Sequence, residues 1–82
     1  MLELRPIRTI AIFMANQIED KLRREIEANC IVSPAVADEL EDVFKERQNE
    51  NIIYEYTKEE LYPGVINLFV KKTAPVKLKV PV

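Results

Sequence analysis

Apolar residues recur through the first third of the chain at spacings of three and four: Ile7, Ile10, Ala11, Met14, Ile18, Leu22, Ile26 and Cys30. That spacing draws one stripe along a helix. It predicts a single long helix from about Pro6 to Asn29, with proline at a first position where its missing N–H has no intrahelical partner to lose. The other side of the same stretch carries Glu19–Arg23, Asp20–Arg24, Lys21–Glu25 and Arg23–Glu27, each four apart and of opposite charge. Such pairs stabilise a solvated helical face by a few tenths of a kcal/mol each. A rival reading makes Arg8 to Met14 a strand, because Ile10, Ile12 and Met14 alternate.

Ser33-Pro34 marks the clearest boundary. Serine accepts a hydrogen bond from an N–H two or three residues on, and Pro34 then takes the first helical position. In the helix beginning there, Asp38, Glu39, Glu41 and Asp42 precede Lys45 and Arg47, an order that suits the helix dipole. Val36, Leu40, Val43 and Phe44 form its inward face, and Asn49 to Asn51 ends it. Only a few residues around Ile31 and Val32 join the two helices, so an antiparallel or steeply angled pair is expected.

Beyond Asn51 the period changes to two. Ile52 to Tyr56 and Val65 to Val70 read as strands of β-branched and aromatic residues. Thr57 with Glu60 has the spacing of a capping box, which predicts a short helical turn before Pro63-Gly64 and hence a wide hairpin. Val76 to Val80 alternates strictly between prolines 75 and 81, with Lys77 and Lys79 outward, and reads as a protected edge strand. One sheet face, packed on the helices, would carry Ile52, Tyr54, Tyr56, Ile66, Leu68, Val70, Val76, Leu78 and Val80. The other would carry Ile53, Glu55, Val65, Asn67, Phe69, Lys77 and Lys79, a mixture in which Ile53, Val65 and Phe69 have no evident cover. The expected class is α+β: two helices and a three-stranded antiparallel sheet in the order α-α-β-β-β. Residues 1–82 form one domain on this reading, with a helical part over 6–49 and a sheet part over 52–81.

Composition narrows the chemistry. The 82 residues hold no His, one Cys and one Gly. Without histidine there is no Ser-His-Asp or Cys-His pair and no imidazole ligand. One cysteine makes neither an internal disulfide nor a thiolate cluster, and one glycine makes no phosphate-cradling loop. A catalytic role, a cofactor and a metal are therefore not expected. Behind Arg5 and Arg8, the run Ile10 to Ala15 is too short for a cleaved signal, and its apolar pattern continues unbroken into Ile18, Leu22 and Ile26. No apolar run reaches the ~18–20 residues of a membrane span, and a lone cysteine suits a reducing, cytoplasmic compartment.

Each remaining cluster has a plain structural explanation beside a functional one. Asp38, Glu41 and Asp42 share a side of the second helix, but dipole-complementary acids are routine there and a Mg²⁺ or Ca²⁺ site needs further oxygens. Cys30, on the apolar stripe with no cation beside it in sequence, reads as a small buried hydrophobe. Tyr54, Tyr56 and Tyr62 resemble a base-stacking platform, yet two of them fall on the inward face, where packing explains them. Residues 1–50 carry 7 basic and 11 acidic side chains, while 71–82 carry four lysines and no acid. Lys58, Lys71, Lys72, Lys77 and Lys79 are thus the candidate contacts for a phosphate backbone or an acidic partner, although they also serve to protect a sheet edge.

A 24-residue helix is ~36 Å long and overhangs a domain roughly 30 Å across. The stripe would then need outside cover, most simply a second copy, since symmetric dimers are the commonest soluble oligomers. The leading expectation is a non-catalytic protein–protein interaction module, a homodimer or a small subunit of a larger assembly. Ile7, Ile10, Met14, Ile18 and Leu22 would make its helical contact, and Ile53, Val65 and Phe69 a contact across the sheet. The alternative is a winged-helix-like nucleic-acid binder using the hairpin and the basic end, against which stand the acidic second helix and a missing third helix.

Overall fold

A computed structural model of the chain describes residues 7–73; the strand expected over 76–80, with Lys77 and Lys79, lies outside them. The first helix, α1, spans Ile7–Arg24 and buries one narrow stripe of Ala11, Ala15, Ile18 and Leu22. The Glu25 N–H closes the last turn on the Lys21 carbonyl at 2.8 Å. The chain then extends, and Glu27–Val32 forms a strand, β1, where the helix was expected to continue. Its apolar positions Ala28, Cys30 and Val32 alternate, which buries one side of a strand and would scatter around a helix. At 18 residues α1 is about 27 Å long, so the overhang expected of a longer helix does not arise.

Ser33 starts the second helix as its sequence indicates. Its Oγ accepts from the Val36 N–H at 3.3 Å, with Pro34 opening α2, which spans Pro34–Arg47. β1 runs between the two helices in the chain, and they pack against each other. Arg8 meets Glu39 and Glu46, and further along both helices Asn16 and Glu19 meet Arg47. The exit from α2 is tight. Asn49 Oδ1 accepts from the Asn51 and Ile52 N–H groups, and Gln48 Oε1 accepts from the Tyr54 N–H, which sets the next strand directly under the helix.

That strand, β2, runs over Ile53–Tyr62, and β3 over Val65–Thr73. The helical turn expected at Thr57 to Glu60 is absent. Those residues pair in register with Phe69, Leu68, Asn67 and Ile66, and a full ladder partner overrides a weak local capping signal. The hairpin is consequently tight, turning on Pro63 and Gly64, whose φ of 83° is what the second central position of a type II turn demands. A register shift between Glu60 and Tyr62 bulges β2 at Leu61.

The sheet is antiparallel throughout with β3 in the middle, in the order β1-β3-β2. The fold is thus α+β with two helices and a three-stranded antiparallel sheet. Along the chain it reads α-β-α-β-β, because residues 27–32 supply a strand between the helices. Both helices cover one face only. There Leu68 and Val70 of β3 meet Leu40, Val43 and Phe44 of α2, beside Ala28, Val32 and Tyr54. Phe44 is the hub, its ring 4.5 Å from that of Tyr54 and 6.1 Å from that of Tyr56, both tilted. Tilted aromatic pairs at such distances contribute about 0.5–1.5 kcal/mol beyond their burial.

This arrangement separates two phenylalanines sharply. Phe44→Ala is expected to cost about 3–5 kcal/mol, since a fully buried ring leaves a cavity behind. Phe69→Ala, on the uncovered face, is expected to cost well under half of that. Denaturant unfolding of the two variants checks the difference; equal losses would contradict the one-sided core.

Candidate interaction surface

Polar side chains between the elements pair with one another, the Tyr56 hydroxyl excepted. Glu19 of α1 sits at a partly buried junction, accepting from Arg47 Nη1 at 2.7 Å and from the Tyr54 hydroxyl at 2.6 Å. The second Arg47 nitrogen, Nη2, donates to Asn16 Oδ1 at 2.9 Å. One carboxylate thereby ties α1, α2 and β2 together through charge-assisted bonds, worth about 1.5–3 kcal/mol each. Tyr54 and Tyr56 both belong to the packed face, so neither presents a ring for stacking. Burial raises the phenol of Tyr54 above its usual range, and the hydrogen bond to Glu19 raises it further. Burial also raises Tyr56, with the Glu41 charge adding to the effect, and its hydroxyl is enclosed without a hydrogen-bond partner.

Among the described candidate cations, Lys58 is paired within the chain. Lys58 projects on the helix side of β2, where its ammonium reaches Glu41 Oε1 at 3.0 Å and Asp38 Oδ1 at 3.5 Å. The Glu41 hydrogen bond holds that ammonium above its ordinary value. Lys71 stands in the middle strand between Glu27 of β1 and Glu55 of β2, and Lys72 is opposite Tyr54. The acidic side of α2 is therefore partnered by Lys58 and Arg8. Among the described residues no group of three or more His, Cys, Asp or Glu is placed to hold a metal ion. Cys30 is half-buried on the helix side of β1, not at a helix end, and burial pushes its thiol up, away from reactivity.

Apolar residues, by contrast, are left over. Of the stripe expected to make an external contact, Ile18 and Leu22 are buried in the chain's own core and are closed to a partner. The narrow α1 stripe, made small by Ala11 and Ala15, leaves Ile7, Ile10, Ile12 and Phe13 outside, with Phe13 63% exposed. Met14 is half-buried on the wall of a shallow groove of about 230 Å³ between α1 and β1. Phe13, Gln17, Ile18 and Lys21 line its helix side, and Asn29 and Cys30 its strand side. The uncovered sheet face carries Ile31, 62% exposed, with Ile53 and Phe69 also exposed and Val65 half-buried. On that face Asn29 Nδ2 donates to Asn67 Oδ1 at 3.0 Å. Ile53, Val65 and Phe69 are where strand alternation places them. Phe13 and Ile31 are not marked by the sequence pattern: the first lies off the stripe, and helical spacing makes the second part of a helix-to-helix connection. Among the described residues no helix is long and apolar enough to cross a membrane.

Both buried phenols are held neutral, so folding is expected to lose stability as pH rises above about 10, where the unfolded tyrosines ionise first. Tyr54→Phe is expected to cost about 1.5–3 kcal/mol at neutral pH through the lost Glu19 bond, and to flatten the alkaline fall. Unfolding curves between neutral and strongly alkaline pH test this; an unchanged alkaline slope in the variant would contradict the junction as described.

Compared with protein-family models, curated proteins and solved structures, the chain matches none of them.

Proposed function

We propose that this chain is a non-catalytic protein–protein interaction module that works as a homodimer or as a small subunit of a larger assembly. One observation carries the reading: large apolar side chains stay outside the core, Ile7, Ile10, Ile12 and Phe13 on α1 and Ile31, Ile53 and Phe69 on the uncovered sheet face, beside Ile26, Leu61 and Tyr62 elsewhere. Large contiguous apolar patches are uncommon on soluble monomers and mark contact surfaces. The contacting residues on this reading are Ile7, Ile10 and Met14, joined by Phe13, on the helix, and Ile53, Val65 and Phe69, joined by Ile31, on the sheet. Ile18 and Leu22 leave the set because they support the core from within.

The lack of histidine and the single cysteine support a non-catalytic role, and the unpaired Cys30 supports a reducing, cytoplasmic setting. A nucleic-acid-binding role draws little support from the described cations, since Lys58 rests on Asp38 and Glu41 and Lys71 lies between two glutamates. Sedimentation equilibrium on the whole chain is expected to return an associated species at micromolar concentration. A monomer throughout, unmoved by added salt that strengthens apolar association, would count against the module.

A further inference from the structure

The sheet has two edges of different character. Along β2 the edge carries Lys58, Glu59 and Glu60 in succession and then the bulge at Leu61. Charges and a bulge are how an edge is kept from pairing with another chain. The β1 edge has no bulge, and its one charge, Glu27, stands at its start. From Ala28 to Val32 it is uncharged, free of proline, and in unbroken register with β3 from Val70 to Ile66. Among the described residues nothing pairs with its outer side. The Lys72 N–H donates to the Ile26 carbonyl at 3.2 Å, which fixes the phase of this ladder. In an antiparallel pair the bonded positions alternate, so Ala28, Cys30 and Val32 bond to β3 while Glu27, Asn29 and Ile31 turn their N–H and C=O groups to the open edge.

We infer that β1 pairs antiparallel with β1 of a second copy about a two-fold axis at Cys30, joining the two sheets into one of six strands, β2-β3-β1-β1-β3-β2. This deepens the interaction-module reading and rests on it. Directly opposed residues must share a face, so the two-fold passes through a residue, and the overlap of the six-residue strand is longest when that residue is Asn29 or Cys30. Centred on Asn29, each Glu27 lies against an Ile31. Centred on Cys30, Ala28 opposes Val32, Asn29 opposes Ile31, and both glutamates fall outside the overlap. The second register leaves no charge in the ladder and makes about four backbone hydrogen bonds across the axis.

The helix side supports the same axis. The groove sets Asn29 and Cys30, the middle of β1, against a helical stretch from Phe13 to Lys21 whose middle is Gln17. A two-fold at the middle of the strand therefore passes near Gln17, and the two α1 helices cross antiparallel above the joined strands. The first half of α1 is apolar outside, with Ile10 and Phe13, whereas the second half carries Asp20, Lys21, Arg23 and Arg24. An antiparallel crossing brings Phe13 to Lys21 of the second copy, ring against cation, and keeps the charged halves apart. A parallel crossing would set them side by side.

Oxidative cross-linking with Ile31→Pro and Glu59→Lys variants tests this directly. In the Cys30-centred register the two cysteines form a non-bonded pair with Cα atoms about 4.5 Å apart, inside the range a disulfide spans. Mild oxidation of the native chain is expected to link it through Cys30 into a species of doubled mass. Ile31→Pro removes an N–H that serves the open edge and not β3, and is expected to weaken association about tenfold or more while leaving the ladder within the chain. Glu59→Lys, exposed on the far β2 edge, is expected to leave both dimer and cross-link in place. A dimer that forms no Cys30 link, resists Ile31→Pro or dissociates in Glu59→Lys would overturn the edge pairing while leaving the module reading intact. A native chain that stays monomeric overturns both.

Discussion

Everything in this structure depends on a sheet that the described residues cover on one side only. The middle strand, β3, pairs with both neighbours and sends Leu68 and Val70 into full burial beneath Leu40, Val43 and Phe44. Two short helices are all that the described residues lay over it, and both lie on that face. A domain of this size buries a smaller share of its surface than a larger one, so each buried ring counts for more. The opposite face keeps Ile31, Ile53 and Phe69 in the open, because no element among the described residues lies over them.

The polar groups act in the same direction. Glu19 gathers Arg47 and Tyr54, and Lys58 closes on Glu41 and Asp38, so charges that face inward are answered within the chain. The exposed pairs are worth little individually, while the junction at Glu19 is partly screened from water and holds three elements at fixed spacing. With Ala11 and Ala15 buried along α1, Ile10 and Phe13 stay exposed, and Phe13 lines the groove beside β1. The helix is amphipathic, but its exposed side is not polar all round.

Much of this was legible in the residues. The inward and outward sets of β2 and β3 follow from strict alternation, and Ser33-Pro34 announces α2. What misled was the interval of four. Ile18, Leu22, Ile26 and Cys30 fit a helix, yet four is also twice the strand period, and from residue 26 onward the deciding positions are Ala28 and Val32, which fall on the strand's inner side. Small and β-branched residues carried the signal that larger ones concealed. Thr57 to Glu60 misled for the opposite reason: a local capping pattern was real but weak beside ladder partners further along the chain, from Phe69 back to Ile66. As for the surface, Ile53, Val65 and Phe69 stood out as apolar residues without cover. Ile31 could be recognised as one of them only after its segment was known to be a strand.

A small domain with one bare face and one unblunted edge has an obvious physical use for a partner, and the edge is the sharper of the two features because its hydrogen-bonding groups are fixed in phase. Residue-resolved amide hydrogen exchange of the native chain reads them one by one. With β1 paired across the two-fold, the amides of Asn29 and Ile31 are expected to be protected to nearly the degree of Cys30, whose amide bonds to β3, and to lose that protection on dilution. Fast exchange at Asn29 and Ile31 beside slow exchange at Cys30, at every concentration, would contradict the pairing.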